Sequence, residues 1–180
     1  MRSAVAKVLS ALDRLNTAVY YGVGLLLAAI TIVVLMQVIV RFVLTNFGLN
    51  ISAPWTEEMA RYLLVWLIFL GAAVGCRKMQ LISLGFVVTG TPPMVGAALR
   101  YASLALCLVL FWLLIRYGFE FVQVIGRSEL SPVMQIPKTW VYWAMPVGAT
   151  LMIANTIAFV AETWLEGRDI RRTGGLADEA

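Results

Sequence analysis

The chain has 180 residues, of which 61% are hydrophobic and 13% charged, with a net charge of +4 and no histidine. A soluble domain of this size is about half apolar and a quarter charged, so this much apolar surface needs lipid as its solvent. Lack of histidine excludes bis-histidine haem, histidine-ligated zinc and imidazole acid–base chemistry, and a modest positive charge without interleaved aromatics gives no nucleic-acid signature.

Residues 1–14, MRSAVAKVLSALDR, place Val5, Val8, Leu9 and Leu12 at helical spacing. They read as a short amphipathic turn or two on the membrane surface. Leu15–Val40 then runs 26 residues without a charge. A hydrocarbon core needs about 20 helical residues, so the first span is placed at about 15–41. The run is too long for the apolar part of a cleaved signal peptide, so this helix is expected to be retained. Gln37 and Arg41 close it on one face, with Arg41 either snorkelling to the headgroups or joining an assembly surface.

The second span is placed at 53–77, with Ser52 as its cap and Pro54 in its first turn. Glu57 and Glu58 fall where the helix dipole favours anions, and Arg61 is spaced to pair with both. At 100° per residue this helix carries two stripes. Trp55, Tyr62, Trp66 and Phe69 share one face; Glu57, Arg61, Leu64, Ile68, Gly71 and Gly75 share a nearly opposite one. Gly71–Gly75 is a GxxxG, which lets two helix backbones approach closely. The small stripe packs either inside the chain's own bundle or against a partner.

Residues 79–93 are uncharged but broken by Gly85, Gly90, Pro92 and Pro93, and read as an interfacial arm rather than a span. The third span is placed at 94–118, with Arg116 and Glu120 positioned to pair near its end. A polar, proline-punctuated loop follows. The fourth span, 139–161, opens on Trp140, Tyr142 and Trp143 as an aromatic interface belt, and Pro146 is expected to bend it. Residues 166–180 form a charged tail. Cys76 and Cys107 make no CxxC pair and read as small apolar residues.

The expected fold is thus an all-α integral membrane protein. A single four-helix membrane domain occupies residues 1–165, with interfacial amphipathic segments. Arg2, Lys7, Arg14, Arg77, Lys78, Arg100, Arg168, Arg171 and Arg172 lie on one side of that arrangement. Arg41, Arg61, Arg116, Arg127 and Lys138 lie on the other. The positive-inside rule then puts both termini in the cytoplasm and the Glu57–Glu58–Arg61 cluster outside. Glu57 and Glu58 sit at one end of an intact helix rather than on a broken helix at the midplane, which argues against a transported-ion site.

Trp55, Glu57, Glu58, Arg61, Trp66, Phe69, Leu70 and Gly71 form W-x-E-E-x-x-R-x-x-x-x-W-x-x-F-L-G. This resembles the DctQ-like small membrane subunit of TRAP transporters, the tripartite ATP-independent periplasmic transporters. The Arg77–Lys78 pair fits, as do Ile136, Pro137, Trp140, Tyr142, Pro146 and Gly148. The resemblance covers roughly residues 15–165. One departure is that Leu81 and Gly85 stand where relatives often carry a histidine and an acid. The resemblance implies a non-enzymatic accessory subunit in the bacterial inner membrane, without cofactor or metal. It implies as partners a large DctM-like membrane subunit and a periplasmic substrate-binding protein, in a sodium-coupled importer of an organic acid such as a carboxylate or sialic acid. Trp55, Glu57, Glu58, Arg61, Trp66, Gly71, Gly75, Arg77, Arg41, Pro137, Trp140 and Pro146 are the candidate assembly and structural residues. A self-sufficient homo-oligomeric transporter or channel is the alternative.

Overall fold

The computed structural model describes residues 2–44, 46, 53–77, 90–167 and 170. Ser52, Lys78, Leu81, Gly85, most of the arm at 79–93 and nearly all of the tail lie outside the described residues. Four helices long and apolar enough to cross a membrane make up the structure, and among the described residues there is no strand.

The first helix, α1, runs Arg2–Val38 and continues into a π-helical segment, Ile39–Leu44. The basic segment expected as a separate surface turn is therefore the same helix as the first span. No proline interrupts residues 2–38, and helix propagation adds a hydrogen bond per residue once a nucleus exists. At about 1.5 Å per residue α1 is roughly 55 Å long, well beyond what a bilayer core needs.

Helix α2 is Pro54–Arg77. Its first turn is closed by Thr56, whose backbone N–H and hydroxyl both donate to the Ala53 carbonyl at 3.2 and 2.7 Å. Helix α3 is Pro93–Ser128, begun by a proline that needs no hydrogen-bond partner at that position. It extends ten residues past the expected end at Gly118. Nothing breaks it until the extended residue Glu129 and the following loop, where Pro132 disfavours helix at Ser131. Arg116 and Glu120 pair on its exposed surface at 3.8 Å.

The fourth crossing is split into α4, Thr139–Tyr142, and α5, Ala144–Glu166, with the break at Trp143. Pro146 supplies no N–H to the Tyr142 carbonyl, which accounts for an interruption at this point. Helix α5 ends on Gly167 in the left-handed conformation, φ 63°, its N–H bonded to the Thr163 carbonyl.

The helices pack in a row rather than a square. Helix α1 lies on α2, α2 on α5, and α5 on α3. Half of the apolar window of the fourth crossing is buried, against none of that of α1. Small residues let α5 take the central place. A side chain at Gly148 would meet the Phe69 Cβ at 2.6 Å, and one at Gly118 would meet Pro146 at 2.9 Å. Ala73, Cys76, Phe111 and Met152 form the main apolar cluster, with Cys107 packed against it. Leu104, Phe159 and Ile170 form a second. Both cysteines are free and serve as packing groups.

Candidate functional site

Polar side chains from several elements meet at the two ends of α2. At its C-terminal end Arg77 bonds two other helices. Its Nη1 and Nη2 donate to Glu162 Oε2 and Oε1 of α5 at 2.6 and 2.5 Å, a bidentate fork. Its Nε and Nη2 also donate to Asp13 Oδ1 of α1 at 3.0 and 2.7 Å. One guanidinium thus holds three helices, which a point-charge lysine could not match in geometry.

Just deeper lies a second layer. The Asn16 and Asn155 side-chain amides donate to each other at 2.6 and 2.8 Å, and Asn155 also donates to the Ala73 carbonyl at 2.7 Å. Asn155 is fully buried and Asn16 nearly so. Helical spacing stacks the two layers: Asp13 with Asn16, Ala73 with Arg77, and Asn155 with Glu162 lie three, four and seven residues apart. Asn155 thus bonds to two other helices. Thr150 and Thr156 donate to the carbonyls of Pro146 and Met152 within α5. Asp13, Asn16 and Glu162 are absent from the sequence-based candidates. Asn16, an amide early in an uncharged run, is the signal that could have found them.

At the other end Glu58 turns away from Arg61. It accepts from the Tyr62 hydroxyl at 2.7 Å and from the backbone N–H groups of Val133 and Met134 at 3.2 and 3.0 Å. Among the described residues Arg61 pairs with Glu57 alone, at 3.9 Å on an open surface. The expected three-way cluster is thereby corrected: a carboxylate that can satisfy two backbone donors of a tight loop gains more than one facing a screened surface cation. The loop is well built. Leu130 and Pro137 bridge antiparallel, the Ser131 N–H donates to the Ile136 carbonyl at 2.9 Å, and Gln135 takes φ 55°. Lys138 donates to Glu129 at 2.7 Å, and that carboxylate raises the lysine pKa above its ordinary range.

The two stripes of α2 are now told apart. The aromatic stripe faces its own bundle: Trp66 Nε1 donates to the Trp140 carbonyl at 3.1 Å, and Phe69 lies against Gly148. The small stripe does not pack inside. Glu57, Arg61, Leu64 and Ile68 are exposed, and a side chain at Gly71 would meet no atom within 4 Å. Close helix approach therefore occurs at Gly148 rather than at Gly71, and Gly75 is only half-buried. Pro146 is buried against Gly118, whereas Trp55, Trp140 and Pro137 are exposed. Arg41 is exposed on the π-helical segment, its guanidinium carbon 5.9 Å from the Phe42 ring centre.

Among the described residues no three metal-ligating side chains gather. The site is a set of helix-to-helix ties within a four-helix membrane bundle. Residues 30–166 match the model of the family described as tripartite ATP-independent periplasmic transporters, DctQ component. The chain belongs to that family and is a multi-pass membrane protein of such a transporter. It is 28% identical to a TRAP transporter small permease protein of Haemophilus influenzae, over 77% of this chain and 82% of that one. It is 25% identical to the sialic acid TRAP transporter small permease protein SiaQ of Vibrio cholerae, over 61% of this chain and 62% of that one.

Proposed function

We propose that the chain is a non-catalytic scaffold subunit of a sodium-coupled importer of an organic acid. It braces the large membrane subunit, which carries the transport chemistry, and helps to dock the periplasmic binding protein. The support lies in how the polar groups between the helices are engaged. Arg77, Asp13, Glu162, Asn16 and Asn155 are bonded to one another across helices. They hold the bundle together rather than line an open path, whereas a transport site needs polar groups free at mid-depth. A rigid four-helix body that leaves α1 exposed along its apolar length suits a brace against a larger neighbour.

A carboxylate-type substrate is supported by the sialic acid named for the Vibrio cholerae relative. The charge distribution supports an orientation. Asp13, Arg77 and Glu162 meet at one end, which carries the larger share of lysine and arginine and is assigned to the cytoplasm of a bacterial inner membrane. The 129–138 loop then faces the periplasm, where the binding protein is.

Co-expression with a large subunit tests the assignment. The chain is expected to co-purify with it and to be required for substrate uptake in proteoliposomes. Uptake that persists without the chain, with no co-purification, would overturn the proposal, and flux through the pure chain alone would favour a self-sufficient channel.

A further inference from the structure

At the end of the bundle opposite Arg77, the start of α2 and the 129–138 loop enclose a cleft of about 450 Å³. That volume lies within the range of about 300–1,000 Å³ typical of small-molecule sites. Its wall is mixed in charge: Arg61 and Lys138 are cationic, Glu57 and Glu58 anionic, and Tyr62 and Tyr142 carry hydroxyls. Glu58 is already engaged by the loop. Arg61 and Glu57 are not satisfied by each other, since their 3.9 Å separation is beyond hydrogen-bond distance and their side chains are 71% and 64% exposed. Lys138 keeps Glu129 but has further N–H donors.

The chemistry changes abruptly below the cleft. On the same face of α2, Leu64 and Ile68 are exposed, and the surface at Gly71 is bare of any side chain. The order along one stripe is therefore cation and carboxylate, then apolar side chains, then a hollow. Trp55, Trp140 and Trp143 surround this end of the bundle and are exposed, which places the cleft at headgroup level.

We propose that this cleft seats the headgroup of a phospholipid bearing a primary ammonium, with one acyl chain lying along Leu64, Ile68 and Gly71. The phosphate is held by Arg61 and Lys138, and the ammonium donates to Glu57. An anionic head with no ammonium leaves Glu57 beside a second negative charge. A quaternary ammonium offers Glu57 no N–H donor. An acidic peptide from a partner meets the same repulsion and has no use for the apolar track. The inference concerns a bilayer lipid and is independent of which substrate the transporter carries.

The test uses the full chain, purified in mild detergent and stripped of lipid, then offered phosphatidylethanolamine, phosphatidylglycerol or phosphatidylcholine in mixed micelles. Native mass spectrometry reads the retained lipid. One phosphatidylethanolamine per chain is expected to be retained in preference to the other two. Arg61→Ala is expected to lower its retention at least about fivefold, the scale of a lost charge-assisted hydrogen bond at a wet surface. Glu57→Gln is expected to shift preference towards phosphatidylglycerol, and Gly71→Leu to lower retention of every lipid alike. Arg116→Ala, in the exposed pair with Glu120, is the control and leaves retention unchanged. Equal retention of the three lipids by the unaltered chain would overturn the proposal. So would unchanged retention in Arg61→Ala, or inorganic phosphate displacing the lipid as well as phosphatidylethanolamine does. The altered charged positions are exposed and Gly71 is half-buried with open space where a side chain would go, and a melting temperature equal to that of the unaltered chain verifies that each variant is folded.

Discussion

Replacing Arg77 with methionine keeps an unbranched, flexible side chain but removes the guanidinium hub of the joint at the C-terminal end of α2, the lower joint. Two carboxylates, Glu162 and Asp13, are then left without their cation. Breaking a fully buried ion pair costs about 3–5 kcal/mol, because the remaining charge stays desolvated. The side chains of Arg77 and Glu162 are 16% and 28% exposed, while that of Asp13 is 53% exposed. The Glu162 contact should therefore deliver most of its full value. The Asp13 contact is screened by solvent and adds less than about 1 kcal/mol. The expected loss is about 2–3 kcal/mol. For a chain of this size each kcal/mol moves the melting temperature by about 2–4 °C, so the drop should be about 4–12 °C. The assay is thermal unfolding of the detergent-solubilised chain, followed by circular dichroism. The double variant Arg77→Met/Glu162→Met should recover part of the loss, since replacing a whole buried pair with apolar groups is often nearly neutral. A single-variant shift below about 1 °C, or strictly additive losses in the double variant, would refute the view that this fork ties the helices.

Asn155→Leu should cost about 1–2 kcal/mol in the same melt, the scale of side-chain hydrogen bonds between membrane helices. Adding Asn16→Leu should cost little more, because its partner is already gone. Gly148→Val should destabilise the bundle by about 1–3 kcal/mol through overpacking against Phe69, whereas Gly71→Leu should leave the isolated chain within about 0.5 kcal/mol of its starting stability. Equal effects at the two glycines would contradict the assignment of the inner and outer faces of α2. Glu58→Gln should speed hydrogen exchange at the Val133 and Met134 amides while leaving exchange in α5 unaltered; unchanged protection at both amides would show that the loop holds its shape without the carboxylate.

The lower joint gives the bundle a particular mechanical character. Helix α1 has no buried residue in its apolar window, yet Asp13 and Asn16 fix it to α2 and α5 at one end. In hydrocarbon, apolar side chains gain little by leaving lipid for one another, so polar ties contribute a large part of what keeps a peripheral helix in place. The same reasoning explains the interior glycines. With no hydrophobic drive between helices, close backbone approach at Gly118 and Gly148 supplies the van der Waals contact.

Four crossing helices were legible from the sequence because a bilayer imposes simple demands: about 20 apolar residues per span, and every backbone group bonded within its helix. The aromatic belt and the W-x-E-E-x-x-R motif were visible for the same reason, as local patterns. The lengths of α1 and α3 were not, since charged residues beyond the core continue a helix just as well when no proline intervenes. Periodicity also separated the two stripes of α2 but could not say which one faces inward, because rotation about a helix axis is set by its neighbours. Only the tertiary structure decided that Trp66 and Phe69 pack against α4 and α5 and that the Glu57–Gly71 stripe stays open. It alone turned Glu58 from Arg61 to the loop, and brought together Asp13, Arg77 and Glu162, whose separations of 64 and 85 residues carry no local signal. A charge shows in a sequence; its partner is chosen by the packing of the helices that carry it.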